Sequence, residues 1–379
     1  MSTLVNPGVN KKISSLHEAV LPSQNAEKPW IGFHTGSRFK EHSYKDIYAQ
    51  AHCVAAYLME AGLQKGDPVA ILSEAHPLYL ALDLALQYIG AVNLSLPRDT
   101  QAEAIRRIHG QQPFSFIFVG SAGHYQELGQ LTNIRKDLSN VVIFDDEVEG
   151  INTEKIITFE RLVNQGKVTW REKPEDLNQR KAEVGDADLC SLIWKEAKFE
   201  KMSFGDLAAR ISQASEDLSK IPNGPLICSL SPSHPEQRIY GFFAPLMAGR
   251  KVWCLDTEAI HQENLKKIQP VALVAPSRFA GVFLKEMPEK LFPGQAKASQ
   301  NLSKAAKIYE KVDACQNEGK KVPALTRMKY GSLRRGIFAK VKKSSGGHLH
   351  SLILGPGTID PKGKDFWRHA GMELLQPNS

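Results

Sequence analysis

The stretch GLQKGDPVAIL at Gly62–Leu72, followed by ALQYIGAVNLSLP at Ala85–Pro97, decides how this chain folds. Gly62 ends the segment before it, the Gly66-Asp67 turn redirects the chain, and Pro68–Leu72 is short and uninterruptedly apolar. An apolar run of that length between turn residues predicts a buried strand. Upstream, Ile47, Tyr48, Ala51, Val54, Ala55, Leu58 and Met59 recur at helical spacing, which predicts an amphipathic helix over Tyr44–Gly62. Downstream the alternation continues. Helix Pro77–Ile89 precedes strand Ala91–Leu96. Helix Asp99–His109, capped by Asp99 or Thr100, precedes strand Phe114–Val119, and strand Val141–Phe144 follows. Buried strands between helices mean mostly parallel sheets covered on both faces, the doubly wound α/β class.

Trp170–Asp188 is hydrophilic without an apolar period and reads as a linker or surface crossing. Beyond it the pattern resumes with strand Cys190–Trp194, helix Ser203–Leu218, strand Pro225–Leu230, helix Glu236–Met247 and strand Lys251–Leu255. Helix Gln262–Ile268, strand Val271–Val274 and helix Arg278–Lys285 come next. Strand Leu349–Leu354, helix Pro361–Ala370 and strand Met372–Leu375 close the chain. With 379 residues, two α/β subdomains are expected, 1–175 and 176–379.

A hydrophobic content of 42% excludes disorder as a description of the whole. Five cysteines without a CxxC pair indicate neither a disulfide scaffold nor a zinc ribbon. The N-terminal residues lack the apolar core of a secretory signal, and no stretch is apolar enough to span a bilayer, so a cytoplasmic protein is expected. The net charge of +7 is uneven: Lys297–Lys343 holds thirteen Lys or Arg against three Asp or Glu. That local +10 leaves the rest of the chain at −3. The segment 297–343 is helical by pattern and is either a solvated basic face or a docking surface for an anionic membrane or an acidic acyl carrier protein. With no aromatic interleaving and no nucleic-acid module, a nucleic-acid partner is not expected.

The residues carry a family resemblance. Tyr44–Pro97 looks like the opening of an AMP-forming acyl-CoA synthetase, with its glycine-aspartate turn and Gly-Ala-Val strand. In the same order, SLSPSHPEQRIYGFFAPLMAGRKV at Ser229–Val252 resembles the helix start and Gly turn of the long-chain fatty acid–CoA ligase branch. ENLKKIQPVALVAPSRF at Glu263–Phe279 and GGHLHSLILGPGTIDPKGKDFWRHAGMELLQ at Gly346–Gln376 resemble the family's next two segments. The resemblance implies the N-terminal fold of acyl-adenylate-forming enzymes. It also implies their chemistry, in which ATP, Mg²⁺ and CoA convert a fatty acid to acyl-CoA with AMP and pyrophosphate released.

Two departures qualify that implication. Where the family has a Gly/Ser/Thr-rich loop before its next helix, this chain runs through KEAKFEK, Lys195–Lys201, directly into MSFGDLAARI. A loop without glycine does not readily turn successive amides onto a phosphate, so Lys195, Lys198 and Lys201 are a degenerate phosphate site of point charges. The chain also stops at Ser379, before the family's Tyr-Gly-x-Thr-Glu segment and C-terminal domain. A synthetase-like protein that has lost adenylation and keeps an acyl- or partner-binding role is the expectation. An active or split ligase is the alternative.

Carried over by resemblance, the acyl-pocket candidates are His234, Arg238, Tyr240, Phe243, Gly355 and Gly357. Each has a plainer reading. His234 can be a helix-entry histidine, Arg238 an ion-pair partner, Tyr240 and Phe243 core, and GPGTID at Gly355–Asp360 a strand-to-helix turn. His348 and His350 share a strand face without a third ligand, so no metal site is assigned. A homodimer, a homologous synthetase, a fatty acyl group or an acyl carrier protein are the expected partners, the first two covering the edge at Met372–Leu375.

Overall fold

The computed structural model describes residues 27–35, 38–127, 138, 140–144, 156–195, 197–279, 298–355 and 361–376. Fourteen strands occur among these. They are β1 (Pro29–Thr35), β2 (Arg38–Ser43), β3 (Pro68–Leu72), β4 (Val92–Leu96), β5 (Phe116–Val119), β6 (Asn140–Ile143) and β7 (Ile156–Thr158), then β8 (Leu189–Lys195), β9 (Lys198–Ser203), β10 (Leu226–Cys228), β11 (Val252–Cys254), β12 (Ala272–Ala275), β13 (Ser351–Leu354) and β14 (Glu373–Leu375). The chain divides into two compact units, Met1–Leu218 with Ser231–Cys254, and Ser219–Leu230 with Leu255–Ser379.

The first unit contains a seven-stranded sheet in the order β7-β6-β5-β3-β4-β8-β9, and the strand trio β11-β1-β2. Pairing within it is parallel except for the hairpins β1/β2 and β8/β9. β4 and β5 are buried along their whole length and β3 along all but its first residue, as helices on both faces require. Helix Pro77–Ile89 is buried almost all round, with only Leu78 partly exposed, so its neighbours rather than water define its surface. His76 caps its start by accepting from the Leu78 amide at 3.2 Å, and Gly90, at φ +68°, ends it in the left-handed turn that glycine adopts without strain.

Helix Tyr44–Glu60 starts at a capping box in which the Ser43 hydroxyl and the Asp46 carboxylate each accept from the other residue's backbone amide. Helix Phe159–Glu172 packs across it so closely that a β-carbon at Gly166 would lie 1.9 Å from the Cys53 carbonyl oxygen.

Two sequence expectations in this unit need correction. The hydrophilic stretch Trp170–Asp188 is not a linker, since it holds the end of Phe159–Glu172 and a further helix, Pro174–Ala182. That helix buries only Leu177, so it has no apolar period. Its signs are Pro174 in the first turn, Glu175 and Asp176 near the start, and Arg180 and Lys181 at the end. The helix placed at Asp99–His109 is Ala102–Gln111 instead. Neither Asp99 nor Thr100 caps it; the Thr100 hydroxyl donates to the Pro97 carbonyl at 2.6 Å.

The second unit carries the parallel strand order β14-β13-β12-β10, with registers Leu226↔Ala272, Ala272↔Ser351 and Ser351↔Glu373. The segment read as basic and helical contains Ala298–Asn317, Ala324–Leu333, a π-helical turn at Arg334–Phe338, and Ala339–Ser344. Helix Pro361–His369 packs its Phe366 and Trp367 into this unit's core. The helix expected at Arg278–Lys285 falls mostly outside the described residues.

In the first unit a buried histidine has a set tautomer. His52 Nδ1 lies 2.9 Å from the Tyr48 carbonyl and must donate there, leaving Nε2 to accept from the Lys181 ammonium at 3.0 Å. The same ammonium sits 4.1 Å above the Tyr88 ring. Burial, and secondly the nearby Lys181 charge, push the His52 pKa down to about 4.

Because the folded His52 resists protonation, its stabilising contribution is full above the unfolded pKa near 6.5 and is lost as pH falls toward 4. By linkage this is about 3 kcal/mol, so urea midpoints should fall between about pH 7 and pH 4, and the fall should be shallower in His52→Gln. Gly166→Ala should destabilise by about 1–3 kcal/mol, because separating two helices outweighs the helix propensity gained. Gly110→Ala has open space around the new methyl and should be neutral or up to about 1 kcal/mol stabilising, with both glycine variants compared by urea unfolding.

Candidate functional site

The degenerate phosphate segment is a hairpin. Strands β8 and β9 pair antiparallel with Lys195 opposite Lys198, Trp194 opposite Phe199 and Leu192 opposite Lys201. The strand ends Lys195 and Lys198 face each other across the turn, in which Ala197 takes a left-handed φ of +62°. Where the family has a loop, this chain makes a hairpin turn, with the amides from residue 198 onward running in a ladder strand. Lys195, Lys198 and Lys201 are exposed, and Lys195 Nζ lies 3.3 Å from Glu200 Oε1. The Trp194 and Phe199 rings, 4.8 Å apart, fasten the two strands. Directly after the hairpin, Ser203 and Asp206 form a capping box for helix Phe204–Lys220.

The segment expected to line an acyl pocket begins at exposed His234, which occupies the N-cap of Pro235–Arg238. A π-helical turn at Ile239–Phe243 follows, then Ala244–Met247. Its cause is local. Pro245 has no N–H and cannot accommodate the carbonyl four residues earlier, so the backbone widens and the Ala244 amide reaches Ile239 O instead. The Gly241 carbonyl released in this way faces the Cys254 thiol at 3.9 Å.

His234 and Arg238, one helical turn apart, are separated by burial. Arg238 is 2% exposed and is drawn into an ion pair with fully buried Asp83, which lies on helix Pro77–Ile89. Arg238 Nε donates to Asp83 Oδ2 at 2.9 Å, Nη2 lies 2.9 Å from Oδ1, and Nη1 donates to the Ser191 hydroxyl. Asp83 also accepts from Asn93 Nδ2 at 2.7 Å and Gln87 Nε2 at 3.2 Å. Ser95 and Tyr79 complete the network, 3.0 Å from each other. Burial opposes the Arg238 charge, but the Asp83 carboxylate outweighs it, and the guanidinium pKa is raised. Burial, followed by Asp83, raises the Tyr79 phenol.

Tyr240 and Phe243 are both buried, and burial, then Asp217 and Glu236, push the Tyr240 hydroxyl up to about 12. Gly355 belongs to the second unit. Its amide donates to Ala275 O at 2.8 Å, its carbonyl accepts from Ser277, and a β-carbon there would meet Leu230 at 2.9 Å. Gly357, Pro356 and Thr358 lie outside the described residues. Sequence reasoning missed Asp83. Its signal was one carboxylate in the otherwise apolar helix PLYLALDLALQYI. Among the described residues no group of three or more His, Cys, Asp or Glu side chains is placed to hold a metal ion. Nor is any helix among them long and apolar enough to cross a membrane.

Residues 22–194 match the model of the AMP-binding enzyme family. No curated protein matches the chain by sequence. The fold is similar to coronafacic acid ligase from Pectobacterium brasiliense, at 13% identity and TM-score 0.67, covering 97% of this chain and 60% of that one. It is also similar to the fatty acyl-adenylate ligase from L. pneumophila, solved with acyl adenylate and pyrophosphate, at 11% identity and TM-score 0.62, covering 97% and 54%. The A-PCP didomain of a carboxylic acid reductase from Segniliparus rugosus, solved with AMP, matches at 15% identity and TM-score 0.62, covering 98% and 52%. The chain therefore spans between half and three fifths of the length of these structures. The resemblance read from the sequence agrees with the AMP-binding family match over residues 22–194, and the fold is similar to that of these solved structures.

The Asp83–Arg238 pair makes a direct prediction. Asp83→Ala or Arg238→Ala alone should cost about 3–5 kcal/mol, because each leaves an unpaired buried charge. Replacing both, as Asp83→Leu with Arg238→Met, should cost no more than either single change in urea unfolding.

Proposed function

We propose, for a chain whose residues 22–194 match the AMP-binding enzyme family, an acyl-CoA synthetase-like protein that no longer adenylates a fatty acid. It keeps the fold as a holder of an acyl group or of an acyl-bearing partner such as a carrier protein. The hairpin at Lys195–Lys198 carries this reading. Transfer to the α-phosphate of ATP builds negative charge on phosphoryl oxygens and needs preorganised donors and Mg²⁺. Here the donors that a loop would aim at phosphate are strand amides. Three exposed lysines remain, one of them beside Glu200, and a solvated point charge does little preorganising. The residues described therefore do not fit an ATP phosphate cradle. The five free cysteines, four of them buried, suit a reducing compartment, and we place the protein in the cytoplasm.

Fatty-acid-dependent exchange of pyrophosphate into ATP is the decisive assay. The expected result is no exchange with fatty acids of any chain length, and no calorimetric heat for ATP with Mg²⁺. A fatty acid or a non-hydrolysable acyl-adenylate analogue should still raise the melting temperature, since ligand at a hundredfold over its Kd stabilises by about 2.7 kcal/mol. Measurable exchange would restore the active or split long-chain fatty acid–CoA ligase reading. Absence of any acyl-dependent shift would remove the acyl-binding role.

A further inference from the structure

The helical run of Ala324–Leu333, Arg334–Phe338 and Ala339–Ser344 is docked on one side only. On the inner side Phe338 and Val341 are buried, and Phe338 meets Phe366 edge-on at 5.6 Å. Tyr330 Oη lies 2.8 Å from His369 Nδ1, and His369 Nε2 lies 3.0 Å from Asp313 on helix Ala298–Asn317. One histidine thus pins three helices, and the run's orientation is held.

The outer side is unlike the rest of the described surface. Leu325 and Met328 are 59% and 62% exposed, two of only three large apolar side chains that stand out to this degree among the described residues. Ser332 and Arg335 continue their face at helical spacing, with Lys329 one turn after Leu325 and Lys321 in the stretch just before the helix begins. From Lys320 to Lys343 the chain carries nine Lys or Arg and no Asp or Glu. Among the described residues no carboxylate pairs with Arg327, Lys329, Arg334 or Arg335.

An aliphatic pair in water and a dense cationic field are each unfavourable for an isolated fold. One kind of surface relieves both, a sheet of anionic head groups above an apolar layer. We propose that this face seats on an anionic lipid surface, with Leu325 and Met328 entering the headgroup boundary and the flanking lysines and arginines contacting lipid phosphates. A nucleic acid would neutralise the charge but offers no aliphatic layer for Leu325 and Met328. The run is about 31 Å long, with the apolar pair in its first turns and the cations from Arg327 to Lys343 following along it, which suits an extended plane. No described helix can cross a bilayer, so the contact is peripheral. This inference stands independently of any nucleotide or acyl binding.

The test is flotation of the full chain with vesicles of phosphatidylcholine alone and of phosphatidylcholine mixed with phosphatidylglycerol. The expected result is binding to the mixed vesicles only, lost at high salt because screening shortens the attraction to a few ångströms. Leu325→Ser with Met328→Ser should weaken it by about tenfold or more. Arg327→Glu, Lys329→Glu, Arg334→Glu and Arg335→Glu together should weaken it by about a hundredfold or more. Both variants change exposed residues and should keep the parent melting temperature. Failure to float with mixed vesicles would overturn the proposal, as would binding indifferent to the Leu325/Met328 change. Selective capture of RNA or of an acidic carrier protein without vesicle binding would assign the face to that partner and overturn it equally.

Discussion

The first unit is organised around one carboxylate. Helix Pro77–Ile89 is apolar on nearly every face, and such a helix has no intrinsic reason to prefer one rotation about its axis over another. Asp83 removes that freedom. Its two oxygens are met by Arg238 on a segment 155 residues away, by Asn93 on β4 and by Gln87 one turn along. Any rotation or slip would strand a desolvated charge, at a cost far above that of exchanging one aliphatic contact for another. The Arg238 bond to Ser191 extends the same constraint to β8, the strand that leads into the hairpin.

That arrangement clarifies what could be read in advance. The βα alternation from Tyr44 to Val119 was legible because buried parallel strands are short apolar runs and the helices between them show period and end signals. Helix Pro174–Ala182 was not, since one buried leucine leaves no pattern and its caps are ordinary charged residues. β2 and β9 were missed for a related reason: RFKEHS and KFEKMS are polar strands held by hairpin pairing rather than by burial of a face. Of the site, Arg238 was named by resemblance, with an ion-pair partner as its plainer reading, and the structure gives it one. The identity of that partner was not legible, because nothing local links two residues so far apart. A single acid inside an apolar helix is the one hint, and it says that a cation exists without saying which.

The π turn at Ile239–Phe243 shows how a single residue reshapes the backbone of this segment. One proline sets it, through a missing donor and a displaced carbonyl, and Cys254 faces the carbonyl so displaced. Tyr240 and Phe243 are thereby presented from a widened backbone rather than from a regular helix. Their burial in this unit is a property of packing, and any role toward an acyl chain would have to work with that packing.

The lysines of β9 have a consequence that needs no ligand. Among the described residues β9 takes the outer place in its sheet order, and a strand in that position offers a row of backbone donors and acceptors to any passing extended chain. Lys198, Glu200 and Lys201 are all exposed along it. Adding a foreign strand there would mean desolvating three charges for a few ladder hydrogen bonds. The same side chains that look like the remnant of a phosphate site thus act as gatekeepers, keeping a tight hairpin at a sheet margin from seeding self-association.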